Sequence, residues 1–278
     1  MSADSLPELP TAEDFRALAR SSPWRFTTVH FTHRRQRDAG SAPDGGPVEA
    51  WLDRRLGRVV ARSSGGVEVA EGPPYGEAVS LVTCNDDDAA CAVPSPSPPE
   101  PEPEPEPAVV LRPDGLVARR PEDWNHDHGD PMWQDYRWTA MLDPAELSQG
   151  VDVSEVVATT LRGRLTWSAA CRPLLGAGEV WENGYTPRCG CCPLLDGPAS
   201  RILEYGREDP TLTSGDLATV YRVHLDVQTG IVVDITPLDG LDGTGLSNEI
   251  HAVDALLDPP QQGPEQQGGR PRTTGAPA

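Results

Sequence analysis

The sequence contains no lysine, so all 23 of its basic residues are arginine, against 43 acidic residues and a formal charge of −20. A negative field of this size repels nucleic acid and anionic membrane surfaces. The two basic runs, at 33–37 and 119–120, are too short to form a binding stripe. We therefore expect no nucleic-acid partner.

Long apolar segments are also missing. No run approaches the roughly 18 apolar residues that a spanning helix needs. The first residues lack the basic and then apolar pattern of a secretory signal. These absences predict no membrane insertion and a cytoplasmic location, where thiols stay reduced and clustered cysteines indicate metal or redox chemistry before disulfides.

Familiar catalytic patterns are absent as well. The sequence has no G-x-S-x-G nucleophile turn, no phosphate-binding P-loop and no dinucleotide-binding glycine pattern. We therefore expect a non-enzymatic binding or regulatory module.

Proline is abundant, with 30 residues, and it marks the segments that lie outside a folded core. The alternating Pro-Glu run within 85–108 predicts a disordered acidic insertion, because it has no core residue and its charges repel one another. The same reasoning predicts a flexible start at 1–10 and a disordered tail at 258–278. The remaining ranges, 11–84 and 109–250, are predicted to form one domain.

The rest of the sequence predicts an α+β fold that is mainly antiparallel β, with a few short helices. Short β-rich runs separated by glycine turns are typical of a meander, and the clearest hairpin spans 221–239. The predicted helices are 12–20, 143–147 and 198–206. The predicted strands are 24–34, 47–54, 57–63, 65–72 and 136–140, two within 151–173 that turn near Arg162, and two within 221–239.

This order of predicted strands and helices resembles that of a known protein family. The stretches "WRFTTVHFTHR", "PVEAWLDRRLGRVVARSSGGVEVA" and "YRVHLDVQTGIVVDITPL" resemble the lipoprotein-carrier (LolA-like) superfamily. That resemblance implies a strongly curved antiparallel sheet, a half-barrel, with helices over its concave face. It also implies that the concave face binds an apolar small molecule or a protein segment. The blocks "DPMWQDYRW" and "PRCGCCPLL" further resemble a set of actinobacterial proteins.

An aromatic-rich region between 124 and 138 supplies candidates for such a pocket. Aromatic side chains bury large areas, and in a half-barrel the core and a ligand cavity share one surface. The candidate pocket residues are Trp124, Trp133, Tyr136 and Trp138.

The thiol loop, residues 180–198, is the stretch that points most directly to chemistry. It carries Cys189, Cys191 and Cys192, and the C-x2-C spacing of the first and last is one at which two thiolates hold a tetrahedral zinc ion. Zinc needs two further ligands. Besides Cys191, the sequence offers Cys171, His126 and His128.

Two other interpretations of the cysteines stay open at this stage. A C-x2-C pair is also found in redox dithiols, where the pKa of one thiol is lowered. Alternatively, the thiols simply pack with Leu194 and Leu195. A further functional alternative is an interaction protein that acts through its acidic, proline-rich segments.

Overall fold

The computed structural model describes residues 6–36, 46–72, 109–121, 130–176, 183–213, 215–241, 243 and 245–260. The predicted insertion at 85–108, most of the tail and three candidate site residues lie outside these ranges. Those three residues are Trp124, His126 and His128. The predictions made for these parts of the chain stay predictions.

The described chain contains eleven strands, three α-helices and three short 3-10 helices. The strands are β1 Thr28–Gln36, β2 Val48–Asp53, β3 Arg58–Ser63, β4 Gly66–Glu71, β5 Val110–Leu111, β6 Val117–Arg119, β7 Val151–Leu161, β8 Arg164–Pro173, β9 Tyr221–Asp226, β10 Val232–Pro237 and β11 Gly245–Val253. The α-helices are α1 Ala12–Ser21, α2 Tyr136–Leu142 and α3 Pro198–Tyr205, and the 3-10 helices are Ser22–Trp24, Ala145–Ser148 and Pro210–Thr213.

Nine of these strands form one open antiparallel sheet in the order β4-β3-β2-β1-β11-β10-β9-β8-β7. The fold is therefore α+β and mainly antiparallel β, with a few short helices on the concave face of a curved sheet, as the sequence predicts. Strand β11, near the end of the described chain, pairs with both β1 and β10 and joins the two halves of the sheet.

The core lies between the concave face of the sheet and the helices. Alternate residues of each strand face it, as expected for a sheet that is covered on one side: Val29 and Phe31 in β1 and Val223 and Leu225 in β9 are fully buried. Helix α1 lies across β7, β8 and β9, and α2 contacts β10. Phe15 of α1 is fully buried in the apolar core, so α1 covers the core over strands β7, β8 and β9.

Two local predictions need correction, and some strands are not predicted at all. Residues 136–140 form the start of α2 rather than a strand, because the Asp135 carboxylate accepts a hydrogen bond from the backbone N–H of Arg137 and caps a helix. The first strand begins at Thr28 rather than at 24, because Ser22–Trp24 forms a 3-10 helix that includes Pro23. The short strands β5 and β6 and the longer β11 are not anticipated by the sequence pattern.

A tight backbone crossing brings Gly150 against Gly184 and Tyr185, in the described part of the thiol loop. Gly150 has φ +63°, and a Cβ atom there would collide with the carbonyl group of Gly184. Gly163 has a similar φ, +76°, but nothing lies within 4 Å of the place its Cβ would take. We expect Gly150→Ala to reduce the free energy of unfolding by about 1–3 kcal/mol more than Gly163→Ala, because only the first adds a clash to backbone strain. Urea unfolding of both variants measures this difference. Equal losses of unfolding free energy would contradict the close contact between Gly150 and Gly184.

Candidate metal centre

The thiol turn, residues 188–194, lies between β8 and α3 and brings three sulfur atoms together. The Sγ atoms of Cys189, Cys191 and Cys192 all lie within 4.8 Å of one another. Cys189 and Cys191 share a hydrogen bond with their sulfur atoms 2.8 Å apart, and those of Cys191 and Cys192 are 3.8 Å apart. Cys191 is exposed and the other two are half-buried, so the cluster is accessible from solvent.

One buried carboxylate, Glu146, holds both ends of the thiol turn. Its Oε2 accepts a hydrogen bond of 3.0 Å from the backbone N–H of Arg188, and its Oε1 accepts one of 2.9 Å from Leu194. The Tyr185 hydroxyl also donates to Oε1 and in turn accepts from the N–H of Leu195 at 3.1 Å. The two ends of the turn are therefore tied to a single side chain before any ligand binds.

Apolar burial reinforces this attachment. Tyr185, Leu194 and Leu195 flank the cysteines and are each no more than 1% exposed. Fully burying side chains of this size contributes about 1.5–3 kcal/mol each. Pro187 and Pro193, which have restricted φ angles, bracket the thiol segment. The flanking residues therefore anchor the turn to the core, while Cys191 stays exposed.

A second buried carboxylate, Asp143, fixes the first residue of the turn through an ion-pair network. Asp143 pairs with Arg120 and, at 3.1 Å, with the Nη2 atom of Arg188. Burial raises the pKa of Asp143, but the Arg120 and Arg188 charges outweigh it and hold that pKa below its usual value. The pKa of Glu146 shifts the other way, because burial exceeds the effect of its three donors.

Two of the thiols, those of Cys191 and Cys192, lie in surroundings that disfavour their thiolates. The pKa of Cys191 is raised by the hydrogen bond with Cys189, by partial burial and by the Glu204 carboxylate. The pKa of Cys192 is raised by burial, by Cys189 and by the Asp135 carboxylate. These surroundings differ from those of reactive thiols, whose pKa is lowered by nearby positive charge or a helix N-terminus. Helix α3 begins only at Pro198, so neither member of the C-x2-C pair caps it.

The remaining candidate ligands are not brought into this cluster. Cys171 lies in β8, opposite Val153 and Tyr221 on the neighbouring strands, and its side chain is fully buried in the core. Burial raises the pKa of its thiol to about 12. His126 and His128 are outside the described residues.

Two of the candidate pocket aromatics, Trp133 and Trp138, are buried in the core at the start of α2. Trp138 is 3% exposed and lies 5.2 Å from Trp133 and 5.4 Å from Phe31, measured between ring centroids. Trp133 donates from Nε1 to Glu68 at 3.0 Å, and Tyr136 is half-buried. A cavity that both tryptophans line has a volume of about 10 Å³, about the space of one water molecule. Binding of an apolar ligand to the concave face stays a prediction.

Comparisons with known proteins do not assign the chain to a family: no family model matches it, and no curated protein matches it. The resemblance to the LolA-like superfamily stays a prediction. Among the helices of the described residues, none combines the length and apolarity needed to cross a membrane.

Proposed function

We propose that the protein is a non-enzymatic zinc-binding protein whose metal centre is formed by Cys189, Cys191 and Cys192. The observation that carries this proposal is the approach of three thiol sulfur atoms to within 4.8 Å of one another on a turn already fixed by Glu146. Three sulfur atoms at this spacing match the soft donor set that zinc and other thiophilic ions prefer.

The distances are close to those of a tetrahedral zinc site. Zinc–sulfur bonds of about 2.3 Å at tetrahedral angles separate sulfur atoms by about 3.8 Å. The Cys191 and Cys192 sulfur atoms already have that separation, 3.8 Å. The Cys189 and Cys191 sulfur atoms, at 2.8 Å, exchange their hydrogen bond for two metal bonds and move apart by about 1 Å.

Charges of both signs surround the thiols. The Glu204 and Asp135 carboxylates oppose the thiolates of Cys191 and Cys192 and favour a cation, whereas the buried Arg137 guanidinium interacts with Cys192 in the opposite sense. A divalent ion reverses this balance, because a coordinating thiol loses its proton to the metal's charge. Zinc binding at neutral pH therefore releases protons from the thiols.

Replacing each thiol in turn tests the proposal. We expect Cys189→Ser, Cys191→Ser and Cys192→Ser each to weaken zinc binding at least about 100-fold, because each removes one soft ligand. The measurement is competition with a chromophoric chelator under reducing conditions. Cys171→Ala, which removes a thiol buried in β8, is the control and should bind as the wild type does. Zinc binding that survives all three serine replacements, or a wild type that takes up no zinc, would contradict the proposal.

A further inference from the structure

Three thiols leave one position of a tetrahedral zinc ion without a protein ligand. Structural zinc sites have four protein ligands, and carboxylate oxygens serve alongside cysteine and histidine. Two carboxylates of the described chain are candidates for this position: Glu204, which packs against Gly190 in the thiol turn, and Asp135, which caps α2. These two carboxylates differ in the other contacts that they make within the fold.

Asp135 is already engaged in the fold. Its carboxylate forms an ion pair with Arg35 and accepts a hydrogen bond of 3.1 Å from the backbone N–H of Arg137, which caps α2. Moving Asp135 to a metal would break both contacts and release the start of the helix. Asp135 therefore contributes charge to the site rather than a ligand atom.

Glu204 lies on the last turn of α3, directly over the middle of the thiol turn. Its side chain packs against Gly190, the residue between Cys189 and Cys191, so closely that a Cβ atom on Gly190 would collide with its carboxylate. The side chain is exposed, and within the part of the chain that the structure describes Glu204 makes no hydrogen bond or ion pair. This carboxylate can therefore turn toward a metal without breaking any such contact there.

We propose that Glu204 supplies the fourth ligand, an oxygen that completes a Cys3Glu zinc site. This inference rests on the proposed function and names the residue that closes the site. It also accounts for the glycine at position 190, because the absence of a Cβ atom leaves room for the Glu204 side chain against the thiol turn. An oxygen ligand favours Zn²⁺ over Cu⁺, because a monovalent soft ion gains little from a carboxylate.

The test compares Glu204→Gln with Glu208→Gln, which removes an exposed carboxylate four residues further along the chain. We expect Glu204→Gln to weaken zinc affinity by about 10–100-fold, a loss at least as large as that for a residue that only orients a ligand. Glu208→Gln should stay within about twofold of the wild type. Chelator competition measures all three proteins.

A replacement that keeps a ligand at position 204 supplies a second measurement. Glu204→His should bind zinc within about tenfold of the wild type, and X-ray absorption should show imidazole nitrogen at about 2.0 Å beside three sulfur atoms. Zinc bound to this variant without imidazole, or wild-type affinity in Glu204→Gln, would overturn the role of Glu204 and leave the thiol site intact. Absence of zinc from the wild type would instead overturn the proposed function.

Discussion

Glu146→Ala is expected to reduce the free energy of unfolding by at least about 3 kcal/mol, although it changes no metal ligand. The substitution leaves three donors without their acceptor: the N–H groups of Arg188 and Leu194 and the hydroxyl of Tyr185. Each buried donor left unpaired costs about 1–3 kcal/mol. Denaturant unfolding followed by tryptophan fluorescence measures the loss.

Controls separate this anchoring role from a general effect of removing charge. Glu13→Ala removes an exposed carboxylate that pairs with Arg20, and such surface pairs contribute about 1 kcal/mol or less. Glu146→Gln keeps one acceptor oxygen, so its loss of unfolding free energy should lie between those of Glu146→Ala and Glu13→Ala. Both Glu146 substitutions leave the ends of the thiol turn less fixed. Zinc affinity should therefore fall most in Glu146→Ala, less in Glu146→Gln and least in Glu13→Ala. If Glu146→Ala is as stable as Glu13→Ala, the carboxylate does not hold the turn.

Asp143→Asn is the second change with a large expected effect, a loss of about 3–5 kcal/mol at neutral pH. Asp143 is 2% exposed and pairs with Arg120 and Arg188, so its neutralisation leaves two largely buried guanidinium groups without a counter-charge. Removing one partner of a buried ion pair has a cost of this size. Arg188 is the first residue of the thiol turn, so the loss of its ion pair with Asp143 also weakens the attachment of that turn.

The pH dependence of this variant distinguishes lost charge from lost packing. The pKa of Asp143 is lowered in the folded protein. Below the ordinary value of 3.8 the unfolded state therefore binds more protons than the folded state, and the stabilisation disappears as pH falls through the folded pKa. The difference between wild type and Asp143→Asn should shrink between pH 7 and about pH 3. The exposed Asp152→Asn serves as a control with little effect at pH 7, and a difference that does not change with pH would contradict a charge-based role.

Much of the sheet is predictable from the sequence. In a strand with one buried face, apolar and polar residues alternate, and this alternation is visible in the sequence. The β9–β10 hairpin and the β7–β8 pair follow from their sequence patterns. Strand β11 escapes prediction because its central inward position is Asn248, which bonds to the His33 ring at 2.9 Å and to the carbonyl of Val232 at 2.6 Å. A buried asparagine interrupts the apolar pattern by which strands are found.

The candidate site is only half predictable for a related reason. The C-x-C-C spacing identifies the thiol turn, because its ligands are adjacent in sequence. Glu146 and Glu204 lie more than ten residues away on either side, and in sequence they resemble ordinary surface acids. Their relation to the thiols arises from packing of the Ala145–Ser148 helix and α3 around the turn, which no spacing rule contains.

Zinc K-edge X-ray absorption on the wild-type protein, loaded with one equivalent of zinc under reducing conditions, tests the central claim most directly. The predicted result is one tightly bound zinc with three sulfur neighbours at about 2.3 Å and one oxygen neighbour at about 2.0–2.2 Å. A zinc ion surrounded only by oxygen and nitrogen, or a protein that leaves the zinc free in solution, would contradict the assignment of Cys189, Cys191 and Cys192 as a metal centre.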